Sequence, residues 1–100
     1  MMRKEKEIPI TEEDLQYIVA DEFEQIVDLA RYNSFCSRCF GKHPVEMVDY
    51  HLYLNYLNDV IFKGKCKSCE GDIARYVEIG EQEKFQKRTA VVKERKRNKK

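Results

Sequence analysis

The cysteines carry the chemistry of this chain. There are four, and all lie in two copies of one phrase, Cys36-Ser-Arg-Cys39-Phe-Gly41 and Cys66-Lys-Ser-Cys69-Glu-Gly71. Two cysteines three positions apart on a tight turn can aim both sulfurs at one ion, and two such turns supply four thiolates to a tetrahedral site. Backbone amides after the first cysteine of each turn point toward its sulfur and soften its charge. A glycine two positions past the second cysteine admits a positive φ, which tightens the turn. The expected ligands are Cys36, Cys39, Cys66 and Cys69, and one zinc ion per chain at about 2.3 Å from each sulfur suits them. Four thiolates close the coordination sphere and leave no position for water or substrate, so the ion is expected to be structural.

A zinc ion with four thiolates carries a formal charge of −2. Arg38, Lys42, Lys65 and Lys67 flank the two phrases and would offset it. Nearby cations also make thiols easier to ionise. Iron in a rubredoxin-type centre uses the same ligands and would make the protein an electron carrier. The charged residues beside both phrases argue against it, because electron-transfer sites are lined with small and apolar residues. Two disulfides are the other use of four cysteines. The start Met1-Met2-Arg3-Lys4-Glu5-Lys6-Glu7 has no apolar run behind it. The expectation is therefore a cytoplasmic chain with reduced thiols, with a nuclear address open in a nucleated cell. His43 and His51 are the remaining metal-ligand types, and four cysteines make both unnecessary.

The elements that must position these turns are legible in part. Thr11 with Asp14 three positions on reads as a helix cap, and Glu12, Glu13 and Asp14 suit the positive end of the helix dipole. Leu15, Ile18, Val19, Phe23, Ile26, Val27 and Ala30 then form one apolar stripe, which predicts a helix over 11–31. From Met47 to Leu57 the pattern alternates. Val48, Tyr50, Leu52, Leu54 and Tyr56 share one face, and Met47, Asp49, His51, Tyr53, Asn55 and Leu57 the other. Asn58-Asp59 makes a hairpin turn, Val60 to Lys63 leads as a second strand to Cys66, and Ile73 to Ile79 is a third. On that third strand Ile73, Arg75, Val77 and Ile79 share one face. The expected organisation is a charged lead-in over 1–10, one folded unit over 11–80, and a tail over 81–100 that is disordered or helical. Some 70 residues make a marginal core, and the metal is the obvious staple.

The arrangement resembles the zinc-ribbon group, in which two C-x2-C turns are joined by a β-hairpin. The resemblance covers Cys36 to Cys69 and extends along the strand to Ile79. Ribbons usually carry proline after the first cysteine and glycine right after the second, where this chain has Ser37 and Lys67, then Phe40 and Glu70. The implied fold is α+β, an N-terminal amphipathic helix packed on a small antiparallel ribbon sheet with a basic C-terminal tail. The implied role is a part of transcription or translation machinery, as many ribbons are.

Net charge is +1, but it is unevenly laid out. Nine cations (Lys84, Lys87, Arg88, Lys93, Arg95, Lys96, Arg97, Lys99 and Lys100) stand against Glu94 alone in the last 17 residues, a net of +8. The rest of the chain carries −7, and Glu12 to Asp28 holds seven acids without a base. Such a tail binds phosphate backbones of DNA or RNA without sequence preference. It can equally be drawn back onto the acidic helix, which would mute that binding. Tyr53, with Arg75 on a nearby strand, is a candidate stacking platform for bases.

The sequence contains no nucleophile–base pair, phosphate-binding glycine loop or carboxylate pair whose spacing demands catalysis. No small-molecule substrate, no membrane contact and no enzymatic activity are expected. The leading expectation is an adaptor that touches nucleic acid, or a complex bound to it, through the tail. The alternative is a protein-interaction or dimerisation module.

Overall fold

The computed structural model describes residues 7–39 and 44–98. The chain is α+β. Strand β1 (Ile8–Ile10) leads into α1 (Glu12–Val19) and α2 (Phe23–Tyr32). A meander of β2 (Met47–Leu54), β3 (Val60–Cys66) and β4 (Asp72–Val77) follows, and α3 (Glu83–Asn98) closes the chain. The four strands form one antiparallel sheet in the order β1-β2-β3-β4. No described helix is long and apolar enough to cross a membrane.

Helix α1 starts as its sequence predicts. The Asp14 amide donates to Thr11 Oγ1 and the Thr11 amide to Asp14 Oδ2, both at 3.0 Å, so two otherwise orphaned donors are satisfied reciprocally. The helix expected over 11–31 does not run through. Ala20 takes φ 51° and ψ −115°, a short 3-10 turn spans Ala20–Glu22, and α2 begins at Phe23. Neither glycine nor proline marks the break. Its reason is tertiary: α1 packs against α3, while α2 lies over β2 and β4. The break lets one apolar stripe serve both contacts.

Strand β1 is an element the composition of 1–10 hides. Ile8 pairs with Leu54 and Ile10 with Leu52, which extends the sheet on the far side of β2. Strand β2 is shorter than its alternation suggested and ends at Leu54. It also changes phase. Met47 pairs with Cys66 and Val48 with Lys65, but pairing resumes at His51 with Lys63, so Asp49 and Tyr50 together oppose Gly64. Asp49 sits at φ 53°. This is a β-bulge, and it reverses the side of the sheet on which the residues before it stand. Met47 is therefore fully buried, although uninterrupted alternation would place it opposite the buried Leu52 and Leu54. Gly64 makes the bulge possible, since a Cβ there would lie 2.7 Å from the Val48 carbonyl oxygen and 2.8 Å from Met47 Cγ.

The hairpin between β2 and β3 is built on Asn55. Its Oδ1 accepts from the amides of Leu57 (2.9 Å) and Asp59 (3.0 Å), and Asn58 turns the chain at φ 68°. Strand β4 has the expected faces, with Ile73 buried and Ala74 and Tyr76 exposed, and it ends at Val77. One side of the sheet carries the core. Ile10, Leu52, Leu54, Val60, Phe62 and Ile73 meet Leu15, Ile18, Val19, Ile26, Val27 and Ala30 of the first two helices. Phe85 and Val92 of α3 complete that cluster. Of the two states open to the tail, the described part is a helix, and it belongs to the packed body.

Candidate metal centre

Two local structures bring the cysteines together. The first follows α2. The Ser34 hydroxyl donates to the Ala30 carbonyl at 2.6 Å, and Val45 N–H donates to the Ser34 carbonyl at 2.8 Å, which anchors both ends of the segment around Cys36 and Cys39. A 3-10 turn, Ser37–Cys39, then sets the spacing of the two thiols. The second is the turn between β3 and β4. Cys66 N–H donates to the Gly71 carbonyl at 2.8 Å and Glu70 N–H to the Cys66 carbonyl at 2.7 Å. Lys67 N–H donates to the Glu46 carbonyl at 2.9 Å, tying this turn to the segment that enters β2.

All four sulfurs lie within 4.8 Å of one another. The contacts between turns are close: Cys36 Sγ to Cys69 Sγ is 3.5 Å and Cys39 Sγ to Cys66 Sγ is 3.8 Å. Sulfurs at about 2.3 Å from the centre of a tetrahedron stand about 3.8 Å apart, so the cluster has the dimensions of a four-thiolate metal site. The cysteines are free thiols. Cys36 and Cys66 are buried and Cys39 and Cys69 are half-buried, which gives the cluster a closed inner side and a rim. These four residues are placed to bind a metal ion.

The turn chemistry differs from expectation in one respect. Glu70 takes the positive φ, at 65°, and Gly71 does not. Gly71 is needed for space. A Cβ would stand 2.6 Å from Arg38 Cδ and 3.3 Å from Cys69 Sγ. Its amide also donates to Cys69 Sγ at 3.4 Å. Gly41 lies outside the described residues, as do Lys42 and His43.

Crowding the thiols splits their acidities. Burial and the neighbouring Cys66, Cys69 and Cys36 sulfurs push the Cys39 thiol up to about 12. Burial also works to raise Cys66, but the amides of Cys69 and Ser68 and the adjoining thiols overcome it and bring Cys66 down to about 7. The Gly71 amide favours the Cys69 thiolate, yet the Cys36 thiol and burial outweigh it and that group is raised. Of these three thiols Cys66 is therefore the readily ionised one, and a bound cation would have to displace the protons of Cys39 and Cys69.

Of the flanking cations, Lys65 and Lys67 are engaged in ion pairs. Lys65 Nζ contacts Asp72 Oδ1 at 2.6 Å, and Lys65 first, with Arg38 further off, holds the Asp72 carboxyl below its usual range. Glu46 lies between Lys67 (3.4 Å) and Arg31 (3.5 Å), a bridging role that nothing in its sequence context announced. His51 is exposed on β2, where it pairs with Lys63, and is no part of the sulfur cluster.

Among the described residues, five of the tail cations contact the body. Lys84 pairs with Glu22 at 2.5 Å and Lys96 with Asp14 Oδ2 at 2.9 Å. Arg88 donates to the Ile18 carbonyl at 3.3 Å and Lys93 to the Asn55 carbonyl at 3.0 Å. The Arg95 guanidinium lies 5.2 Å from the Tyr17 ring centre. Lys87 is exposed. The Arg97 side chain, Lys99 and Lys100 lie outside the described residues. Tyr53 and Arg75 do not form a platform, because they stand on opposite faces. Arg75 shares its row with Phe62 and Leu52 and donates to the Asn33 carbonyl, whereas Tyr53 shares its row with Ile61 and Tyr76. Lys63, at 4.9 Å from its centre, is the cation over the Tyr53 ring.

No family model, curated protein or solved structure matches the chain. The fold and the sulfur cluster define its class by themselves: a small α+β protein with four cysteines placed to bind a metal ion.

Proposed function

We propose that this chain is a non-enzymatic adaptor whose scaffold is held by one structural zinc ion. The observation that carries the reading is the convergence of four thiols, two from each turn, within 4.8 Å. An all-sulfur set favours zinc over hard cations, and four protein ligands leave no open position for catalysis. The site joins the segment after α2 to the β3–β4 hairpin, two pieces some 30 residues apart, so its metal acts on the fold. What remains for function is surface, which is the property of an adaptor.

Native mass spectrometry with elemental analysis tests this. One zinc per chain is expected. Iron would move the protein to electron transfer. A metal-free chain lighter by about four mass units would replace the site by disulfides and end the proposal.

A second reading places DNA or RNA against the tail, and the nine cations of its last 17 residues favour it. Against it stand the acidic partners that Lys84 and Lys96 already have. A salt-titrated binding assay separates the two. Binding that fades with rising salt, and is weakened by Lys87→Glu, supports nucleic acid contact, and no binding at low salt removes it.

A further inference from the structure

The sheet has two edges, and they are defended unequally. Cys66 N–H bonds to the Gly71 carbonyl, and antiparallel pairs alternate, so Ile73, Arg75 and Val77 turn their backbone groups toward β3. Asp72, Ala74 and Tyr76 then turn theirs outward. Among the described residues nothing pairs with that side of β4. The flanking side chains leave it open: the Asp72 side chain is 87% exposed and Tyr76 57%.

The opposite edge is closed. Asn55 N–H donates to the Asp59 carbonyl, which sets Tyr53 and His51 toward β3 and Leu52 and Leu54 toward β1. Pro9, opposite Tyr53, therefore occupies the position whose N–H would point outward, and it has none. A three-residue strand with proline there is a standard defence of a sheet edge. Strand β4 is six residues long with no proline, bulge or outward lysine.

We propose that the β4 edge pairs antiparallel with β4 of a second copy of this chain. The register follows from faces and charges. Residues opposite one another must share a face, and Asp72, Ala74 and Tyr76 must carry the new hydrogen bonds. A two-fold axis at Arg75 opposes Arg75 to itself and Asp72 to Glu78. An axis at Tyr76 pairs Ala74 with Glu78, beyond the end of the strand. An axis at Ala74 opposes Ala74 to Ala74 and Asp72 to Tyr76, with no like charges facing, and it uses the strand from Asp72 to Tyr76. The isologous dimer is centred on Ala74, and its sheet has eight strands.

This names a partner for the adaptor proposed above and rests on that reading for its purpose, but it fails separately. The experiment is sedimentation of the full, metal-counted chain over a concentration series, with amide hydrogen exchange on the same samples. The expected result is a dimer in which the amides of Asp72, Ala74 and Tyr76 exchange at least about tenfold more slowly than in dilute monomer. Ala74→Pro removes an outward N–H, as Pro9 does on the other edge, and should give a monomer with unchanged metal content. Ala74→Lys sets two like charges directly opposite and should weaken the dimer in a way that high salt relieves. A chain that holds its metal but stays monomeric up to about 1 mM overturns the proposal, because a specific contact should be populated there. So does a dimer that survives both variants or leaves those three amides unprotected.

Discussion

The helix α3 decides whether the basic C-terminus is an arm or part of the body, and its anchors can be weighed. Phe85 is 2% exposed and Val92 fully buried, both in the core cluster with Leu15, Ile18 and Val19. Truncating a buried phenylalanine to alanine costs about 3–5 kcal/mol, and removing two methyls from Val92 about 2 kcal/mol. The charges hold less. Lys84 and Glu22 are 61% and 36% exposed, and such a pair contributes under about 0.5 kcal/mol. Lys96 and Asp14 are better shielded, and Asp14 also caps α1, so that pair is worth about 1 kcal/mol. Apolar burial therefore exceeds ion pairing several-fold. Urea unfolding of Phe85→Ala should show a loss of about 3–5 kcal/mol, a large share of what a domain of this size has. Lys84→Ala should lose under about 1 kcal/mol, and raising salt from about 0.05 to about 1 M should shift stability by no more than that. Limited proteolysis should find α3 protected at both salt concentrations. If high salt frees α3 for cleavage, or Phe85→Ala costs less than Lys84→Ala, the helix is an electrostatically tethered arm and the packing argument is wrong.

Cys66→Ser, or a chelator, should abolish metal binding and lower the unfolding midpoint cooperatively, as followed by circular dichroism with and without added zinc. Metal affinity should fall with pH and steepen by one proton as pH drops through about 7. Above that value Cys66 is already a thiolate in the metal-free chain, and below it the metal must displace its proton too, so competition titrations from pH 8 to 6 read the change of slope. Glu70→Gly should stabilise by a few tenths to about 1 kcal/mol, because glycine accepts the φ of 65° freely, while the adjacent Gly71→Ala should cost about 1–2 kcal/mol by displacing Arg38 and crowding Cys69; thermal melts of the metal-loaded proteins compare the signs. Gly64→Ala should cost about 3 kcal/mol or more, since its Cβ would press on the Val48 carbonyl oxygen, and urea unfolding measures it.

Where sequence and structure agree, the signal is short in range. The Thr11 and Asp14 cap, the alternation of Ile73 to Val77 and the spacing inside each cysteine pair are all decided by neighbours within four residues. What stayed hidden is set by distant contacts. Ile8 to Ile10 reads as a lead-in because its pairing partner, Leu52 to Leu54, lies more than 40 residues on. The break at Ala20 answers two packing surfaces, neither of which is local. The bulge at Asp49 is written in Gly64, on another strand, and an alternation count has no means of reading it. Likewise, among the described side chains, α3 buries only Phe85, Thr89 and Val92, too few to signal a docked helix, and its cations suggest a free tail until Glu22 and Asp14 are seen beside them.

The uncovered face of the sheet explains why an edge, and not that face, is left for a partner. The helices cover one side only. On the other, Ile61 is nonetheless fully buried, because Tyr53 and Tyr76 flank it in register and shield it. Lys63 lies over Tyr53 and pairs with Glu7, and Lys65 pairs with Asp72. With Asp49 and Glu78 added, this side carries charges of both signs around a small apolar centre that its own tyrosines already satisfy. Docking another protein there would require stripping water from those charges for little apolar gain. Backbone groups along β4 would give up water too, but in the proposed dimer each outward N–H and carbonyl would meet its complement in a second strand. In the proposed dimer the charged face would stay in water, and Pro9 on the far edge would stop the sheet from growing past eight strands.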